Sequence, residues 1–146
     1  MFSWQCLMRD ELQRRIDAIE EAYEFMLAYA AQGLSGDAGS QSGGQLRELL
    51  TRAATALAGL GDLLRAVVAA EGLEPAARYG AYAAVLERDA ADSLAAIDLV
   101  LSLPSISSQV IDNLNASIHL RALLTDLFLI DEILKARVGG PAVPRT

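Results

Sequence analysis

The sequence predicts an all-α protein, an antiparallel four-helix bundle in up-down-up-down order. Apolar residues recur three and four positions apart along four long stretches, the period of a helix with one buried side. Alanine is frequent and aromatic residues make up only 5% of the chain, a composition that favours closely packed helices over sheets. The last two connections are short, and short connections make consecutive helices antiparallel neighbours.

The first helix is expected to run from Met8 or Arg9 to Gly33, where glycine suits the end of a helix. Its apolar stripe consists of Leu12, Ile16, Ile19, Tyr23, Met26 and Ala30. The bundle domain is accordingly expected to span residues 9–138. Residues 1–8 are assigned to an N-terminal extension, and residues 139–146, with the sequence GGPAVPRT, to a disordered C-terminal tail.

The stretch from Leu34 to Gly44 has the glycine and serine content of a flexible connection. A second helix is expected from Gln45 to Ala70. Gly59 and Gly61 lie inside it and each costs about 1 kcal/mol relative to alanine. That cost predicts either a close approach of two helices or a local bend.

The third helix begins at Pro75, directly after Gly72, and continues to about Leu103. Its apolar stripe consists of Tyr79, Tyr82, Leu86, Ala90, Ser93, Ile97 and Leu101. Pro104 ends it, and Ser105, Ser107 or Ser108 can cap the last helix, which is predicted from Ser105 to Arg137.

The last helix is expected to be apolar on two sides. One side carries Ile111, Leu114, Ile118, Ala122, Leu129 and Ile133; the other carries Leu120, Leu123, Leu127, Ile130 and Leu134. The other helices offer mainly one stripe each, which is enough for a core. The second side is therefore expected to be left over as an interface between two copies of the chain.

A polar facet of the same helix is the candidate ligand site. It contains Asp112, Asn115, His119 and Asp126, with Arg121 nearby. These groups can supply ligands or a general acid/base. The alternative is a solvated polar seam between two buried faces that fixes register and partner. The sequence favours the seam, and no residue is assigned a catalytic role.

The middle of the third helix contains a second polar break, formed by Asp89, Asp92 and Ser93. Paired carboxylates can divide acid and base roles when their environments differ. A solvated helix face explains the same residues more simply.

Neither a metal nor a cofactor is predicted. Di-iron bundles use Glu-x-x-His on two helices, whereas the single histidine, His119, follows Ala116 by three positions. The net charge of −7, with scattered Lys and Arg, argues against nucleic acid and against an acidic membrane surface. The single Cys6 forms no internal disulfide, and no signal or membrane-spanning stretch is evident, so a cytoplasmic location is expected.

The predicted function is protein association without enzymatic activity. The chain would be an accessory, assembly or regulatory factor that forms a homodimer through its last helix, or binds another protein there. The alternative is a ligand-binding or catalytic bundle that uses the polar facet around His119.

Overall fold

The computed structural model describes residues 4–138, which form six α-helices and no strand. The helices are α1 (Trp4–Ala31), α2 (Gln41–Leu57), α3 (Leu60–Glu71), α4 (Ala76–Leu101), α5 (Ser108–Ala116) and α6 (Ile118–Val138). The prediction of an all-α fold is confirmed. The predicted up-down-up-down bundle of four continuous helices is not, because the second and fourth predicted helices are each two helices.

A large apolar core involves all six helices, and a small second cluster, formed by Ala22, Leu49 and Ala53, lies between α1 and α2. The helix α1 packs on α2, α3 and α5, while α4 packs on α3, α6 and α2. Leu12, Leu50 and Leu86 are among the fully buried side chains. Each such leucine stabilises the fold by roughly 1.5–3 kcal/mol, so the helices are held mainly by aliphatic packing.

The break between α2 and α3 lies at Gly59, and the two helices meet at a bend of 50°. Gly59 has a φ of +70°, a conformation that side chains with a Cβ rarely adopt. Gly61 serves a different purpose, because a Cβ there would lie 2.7 Å from Cβ of Glu87 on α4. Gly59 therefore accounts for the predicted bend, and Gly61 for the predicted close approach of two helices.

The break between α5 and α6 consists of one residue, Ser117. Its backbone is extended, with φ −64° and ψ 141°. The Ser117 N–H donates to the carbonyl of Leu114 at 3.1 Å, while Ser117 Oγ accepts from the N–H of Leu120 at 3.3 Å. One serine thus ends α5 and caps α6.

The segment predicted to be a flexible connection is held in place by polar contacts. Asp37, only 8% exposed, pairs with Arg47 and accepts a hydrogen bond from the N–H of Ile106 at 2.6 Å. Arg47 also donates to the carbonyls of Leu101 and Leu103, at 3.2 and 2.8 Å. The chain between α1 and α2 is therefore tied to the chain between α4 and α5.

The Arg47 guanidinium lowers the pKa of Asp37, against the opposing effect of burial. A carboxyl whose pKa falls on folding stabilises the fold above its ordinary pKa, here 3.8, and loses that contribution as the pH falls further. The contact is thus part of the fold at neutral pH.

The ends of the chain differ from the predicted boundaries. The helix α1 begins at Trp4, within the predicted extension of residues 1–8, and α2 begins at Gln41, where Ser40 Oγ accepts from the N–H of Gly43. The predicted tail, residues 139–146, lies outside the described residues. Between residues 4 and 138 no single helix is long and apolar enough to cross a membrane; only α2 and α3 together, across their bend, reach that length and composition.

Arg47→Ala is expected to lower the free energy of unfolding by about 2 kcal/mol, because it leaves the buried carboxylate of Asp37 without its cation. Urea unfolding followed by circular dichroism measures this. The control is Arg52→Ala, whose pair with Glu21 is more than half exposed on each side. That change should cost about 0.5 kcal/mol or less, and equal losses in the two variants would contradict the role of Arg47.

Candidate functional site

The five residues predicted to form an interface lie in the core of the single chain. Leu120, Leu123, Leu127, Ile130 and Leu134 are exposed by 2%, 0%, 0%, 1% and 3%. The expected leftover face is therefore not a surface in this structure. The physical reason is the break at Ser117. The prediction assumes one continuous helix, whereas α5 and α6 are separate helices, and each buries a different apolar side in the core.

The apolar surface that does remain is on the opposite side of α6. We name it the outer face of α6, and it consists of Ile118, Ala122, Leu129 and Ile133, flanked by Phe128. Ile118 is 76% exposed, Phe128 52%, Leu129 51% and Ile133 37%. Single exposed apolar side chains are ordinary, but several on one side of one helix make that side a candidate interaction surface.

A shallow groove continues this surface onto α4. Its volume is about 240 Å³, and it is lined by Pro75, Arg78, Tyr79, Tyr82, Ile130, Ile133 and Arg137. The Arg137 guanidinium carbon lies 5.8 Å from the centre of the Tyr79 ring, and Arg137 also donates to the carbonyl of Glu74 at 2.8 Å. The outer face therefore has an aromatic and basic neighbour at its C-terminal end.

The predicted ligand facet is not one site in the structure. Asp112 is exposed in the middle of α5, in a depression that also touches Ser108 and Gly33. Asn115 is 8% exposed and buried in the fold. His119 and Arg121 are exposed on α6. The extended backbone at Ser117 separates the two halves of the facet.

Asp126, the fifth predicted ligand residue, joins a polar seam between α4 and α6. The hydroxyl of Tyr82 donates to the Asp126 carbonyl at 2.8 Å, and Ser93 Oγ donates to the His119 carbonyl at 3.0 Å. His119 Nδ1 lies 3.9 Å from Asp92 Oδ2, and both side chains are at least half exposed. An exposed pair of this kind contributes little to stability.

The carboxyl of Asp126 is a weaker acid than an ordinary aspartate. Burial, followed by the hydrogen bond and the charge of Asp89, raises its pKa to about 7. With both carboxylates ionised, Asp126 Oδ2 is buried and has no hydrogen-bond donor among the described residues. With a proton, it can donate to Asp89. Burial, and then the charges of Asp126 and Asp89, also raise the pKa of Tyr82 to about 12.

A carboxyl with a pKa of about 7 can exchange a proton near neutral pH, as a general acid/base does. The neighbouring groove is lined by Tyr82 and Ile130 but by neither carboxylate, so a substrate in that groove would not meet the pair. Within residues 4–138, no three or more His, Cys, Asp or Glu side chains are grouped so that they could hold a metal ion. The arrangement therefore supports a structural role for the Asp126 carboxyl within the seam better than chemistry on a ligand.

Sequence reasoning missed two features of this region. Asp89 was assigned to a solvated face, and its pairing with Asp126 depends on how α4 and α6 pack. The break at Ser117 had a local signal, because serine is a preferred N-cap residue, but the apolar residues on either side of it concealed that signal.

Asp126→Asn should remove a pH dependence of stability. Because folding raises this pKa above its ordinary value of 3.8, the folded chain holds the proton more tightly between that pH and about 7. The contribution of Asp126 to the free energy of unfolding therefore falls as the pH rises through this window and is lost above it. Urea unfolding from pH 5 to 8 should show this decline in the native chain and a flatter profile in Asp126→Asn. The exposed Asp112→Asn is the control, and identical profiles for all three chains would refute the assignment.

Asn115→Leu is expected to raise the free energy of unfolding by about 1 kcal/mol, because the buried amide nitrogen and oxygen of Asn115 have no partner among the described residues. Leucine has a similar branched shape without polar atoms. Asn113→Leu, on the exposed side of α5, should change stability by about 0.5 kcal/mol or less. A loss of stability in Asn115→Leu alone would mean that the amide is hydrogen-bonded in solution.

Comparison of the chain with known protein families, with curated proteins and with solved structures finds no match. The outer face of α6, the groove beside it and the polar seam are thus interpreted from the residues of this chain itself.

Proposed function

We propose that the protein acts by binding protein through the outer face of α6, as a non-enzymatic accessory, assembly or regulatory factor. The observation that carries the proposal is the exposure of Ile118, Leu129 and Ile133 on the side of α6 that faces away from the core. In this proposal the scaffold is an up-down-up-down bundle whose second and fourth members are each broken once. The protein works in the cytoplasm.

The shape of the surface favours a protein over a small molecule. The outer face is the convex side of a helix, whereas small-molecule sites are concave and enclose about 300–1,000 Å³. The adjoining groove, at about 240 Å³, is smaller than this and contributes mainly apolar wall. A convex apolar helix face is instead suited to packing against another helix.

The charge of the chain disfavours a membrane as the partner. Helices that lie on membranes carry Lys and Arg along their polar side and bind acidic lipids. This chain has a net charge of −7, and the three acidic side chains of α6 equal its three basic ones in number, so the helix has no excess of positive charge. A protein partner can accommodate both signs of charge around an apolar centre.

In this proposal the inner side of α6 stabilises the fold and the outer side binds the partner. The inner side holds the core through Leu123, Leu127 and Ile130, so substitutions on the outer side should leave the fold intact. This separation makes the proposed surface testable without unfolding the protein.

A second candidate function is ligand binding or acid/base chemistry in the polar seam. It is favoured by the raised pKa of Asp126 and by the unpaired amide of Asn115. We rank it second because the seam carboxylates do not line the neighbouring groove, and because Asp112 and His119 lie on different helices.

Photo-crosslinking in the cells that make the protein tests the proposed surface. Benzoylphenylalanine in place of Phe128 should give a crosslinked product, because this side chain flanks the outer face of α6. Adding Leu129→Glu should reduce the product about tenfold, since a charge would then be buried at the contact. Circular dichroism should show an unchanged fold.

Thr55 supplies the matched control, because it is exposed on α2, a helix that packs on α1 and α4. Benzoylphenylalanine at position 55 should give no product, and Thr55→Glu should not reduce the product from position 128. Equal products from positions 128 and 55, or a product that Leu129→Glu leaves unchanged, would contradict the proposal.

A further inference from the structure

We infer that the partner on the outer face of α6 is a second copy of this chain, with the two α6 helices antiparallel and centred on Thr125 and Asp126. The inference rests on the proposed function and names its partner and geometry. It is carried by a symmetry in the positions of the exposed residues and by the charges beside them.

The apolar residues of the outer face are arranged symmetrically along α6. Ile118 and Ala122 precede the midpoint between Thr125 and Asp126 by the same distances at which Ile133 and Leu129 follow it. When two antiparallel copies are placed about that midpoint, each residue of one copy meets its counterpart on the other. A twofold axis requires this self-complementarity.

The side chains that meet in this arrangement have compatible sizes. Ile118 faces Ile133 of the second copy, and the small Ala122 faces the larger Leu129. Pairing small with large side chains lets facing layers interdigitate. Thr125, exposed at the centre, allows the helices to approach closely.

Charge complementarity fixes the same register. Arg121 and Glu132 are both exposed and lie on one flank of the outer face. In the antiparallel pair, Arg121 falls about 3 Å along the axis from Glu132 of the second copy. The twofold axis repeats the contact, so two ion pairs close one side of the interface. A parallel pair would place Arg121 and Glu132 of one copy on the opposite flank of the interface from those of the second copy, so these ion pairs would not form.

The outer face has a small apolar centre, formed by Ile118, Ala122, Leu129 and Ile133, so a modest affinity is expected. Arg121, Glu132 and the groove on α4 form the rim of the interface. We therefore expect dissociation constants on the order of micromolar. Sedimentation equilibrium of the native chain measures this value.

Disulfide trapping tests the orientation, in a chain with Cys6→Ser. Thr125→Cys should form a dimer under copper phenanthroline, because the two copies of position 125 lie about 1.5 Å apart along the axis. Ile118→Cys should not, since its copies lie about 22 Å apart. A parallel pair would trap both variants equally, which would overturn the inference.

A charge exchange tests the register. Arg121→Glu and Glu132→Arg should each weaken the dimer about tenfold, because each converts two attractive contacts into repulsive ones. The double variant should return to within about threefold of the native dissociation constant. A double variant as weak as either single one would also overturn the inference. None of these exposed residues contributes to the core, and circular dichroism checks the fold.

The outcomes separate this inference from the proposed function. A crosslinked product from position 128 whose mass is not twice that of the chain leaves the proposed surface standing and refutes the second copy. A native dimer that Leu129→Glu dissociates, but that traps Ile118→Cys, keeps the surface and refutes the antiparallel arrangement. A chain that gives no product at position 128, and that stays monomeric at about 100 times the expected dissociation constant, refutes both.

Discussion

The capping of two helices by Ser117 determines which side of α6 faces the core. Its N–H completes the last turn of α5 and its hydroxyl begins α6, so the backbone leaves helical geometry for one residue without leaving these groups unpaired. That single residue resets the direction of the side chains that follow. Leu120, Leu123 and Leu127 then turn into the core, while Ile118 and Leu129 turn outward.

The rotation of α6 about its own axis is fixed from α4 by hydrogen bonds to carbonyl groups. Tyr82 and Ser93 donate to the backbone of α6, seven residues apart at Asp126 and His119. Backbone acceptors do not depend on side-chain identity, so these contacts orient the helix whatever its outer residues are. The polar seam therefore has a structural role, and the Asp126 carboxyl, whose pKa is raised by burial and by Asp89, lies within it.

A second polar node holds the opposite part of the chain. Asp37 and Arg47 join the α1–α2 connection to the α4–α5 connection, and Ser108 adds a hydrogen bond to the Tyr29 carbonyl at 2.6 Å. These contacts set where α5 begins. The outer face of α6 is thus positioned by a node before α5, the capping serine after it, and the seam along α4.

The sequence by itself determined the helical class, the positions of most helices and the presence of apolar residues beyond those needed for one stripe in the last segment. These follow from local periodicity and from capping residues, which are properties of neighbouring positions. It correctly indicated special roles for Gly59 and Gly61, because glycine inside a helix is costly. It did not predict that residues 34–40 are held in place. The ion pair of Asp37 and Arg47 fixes them because Arg47 also donates to the carbonyls of Leu101 and Leu103, more than fifty positions away.

Only the tertiary structure decided which apolar side of the last segment is buried. An argument from periodicity assumes one continuous helix. On such a helix Leu120 and Ile118 are equally apolar, so the pattern does not show which of them is buried. The one-residue break rotates the side chains of α6 relative to those of α5. The predicted interface residues therefore lie in the core, and the opposite side of α6 is exposed. The grouping of Asp126 with Asp89, rather than with Asp112 and Asn115, has the same cause, because it depends on the packing of α4 against α6.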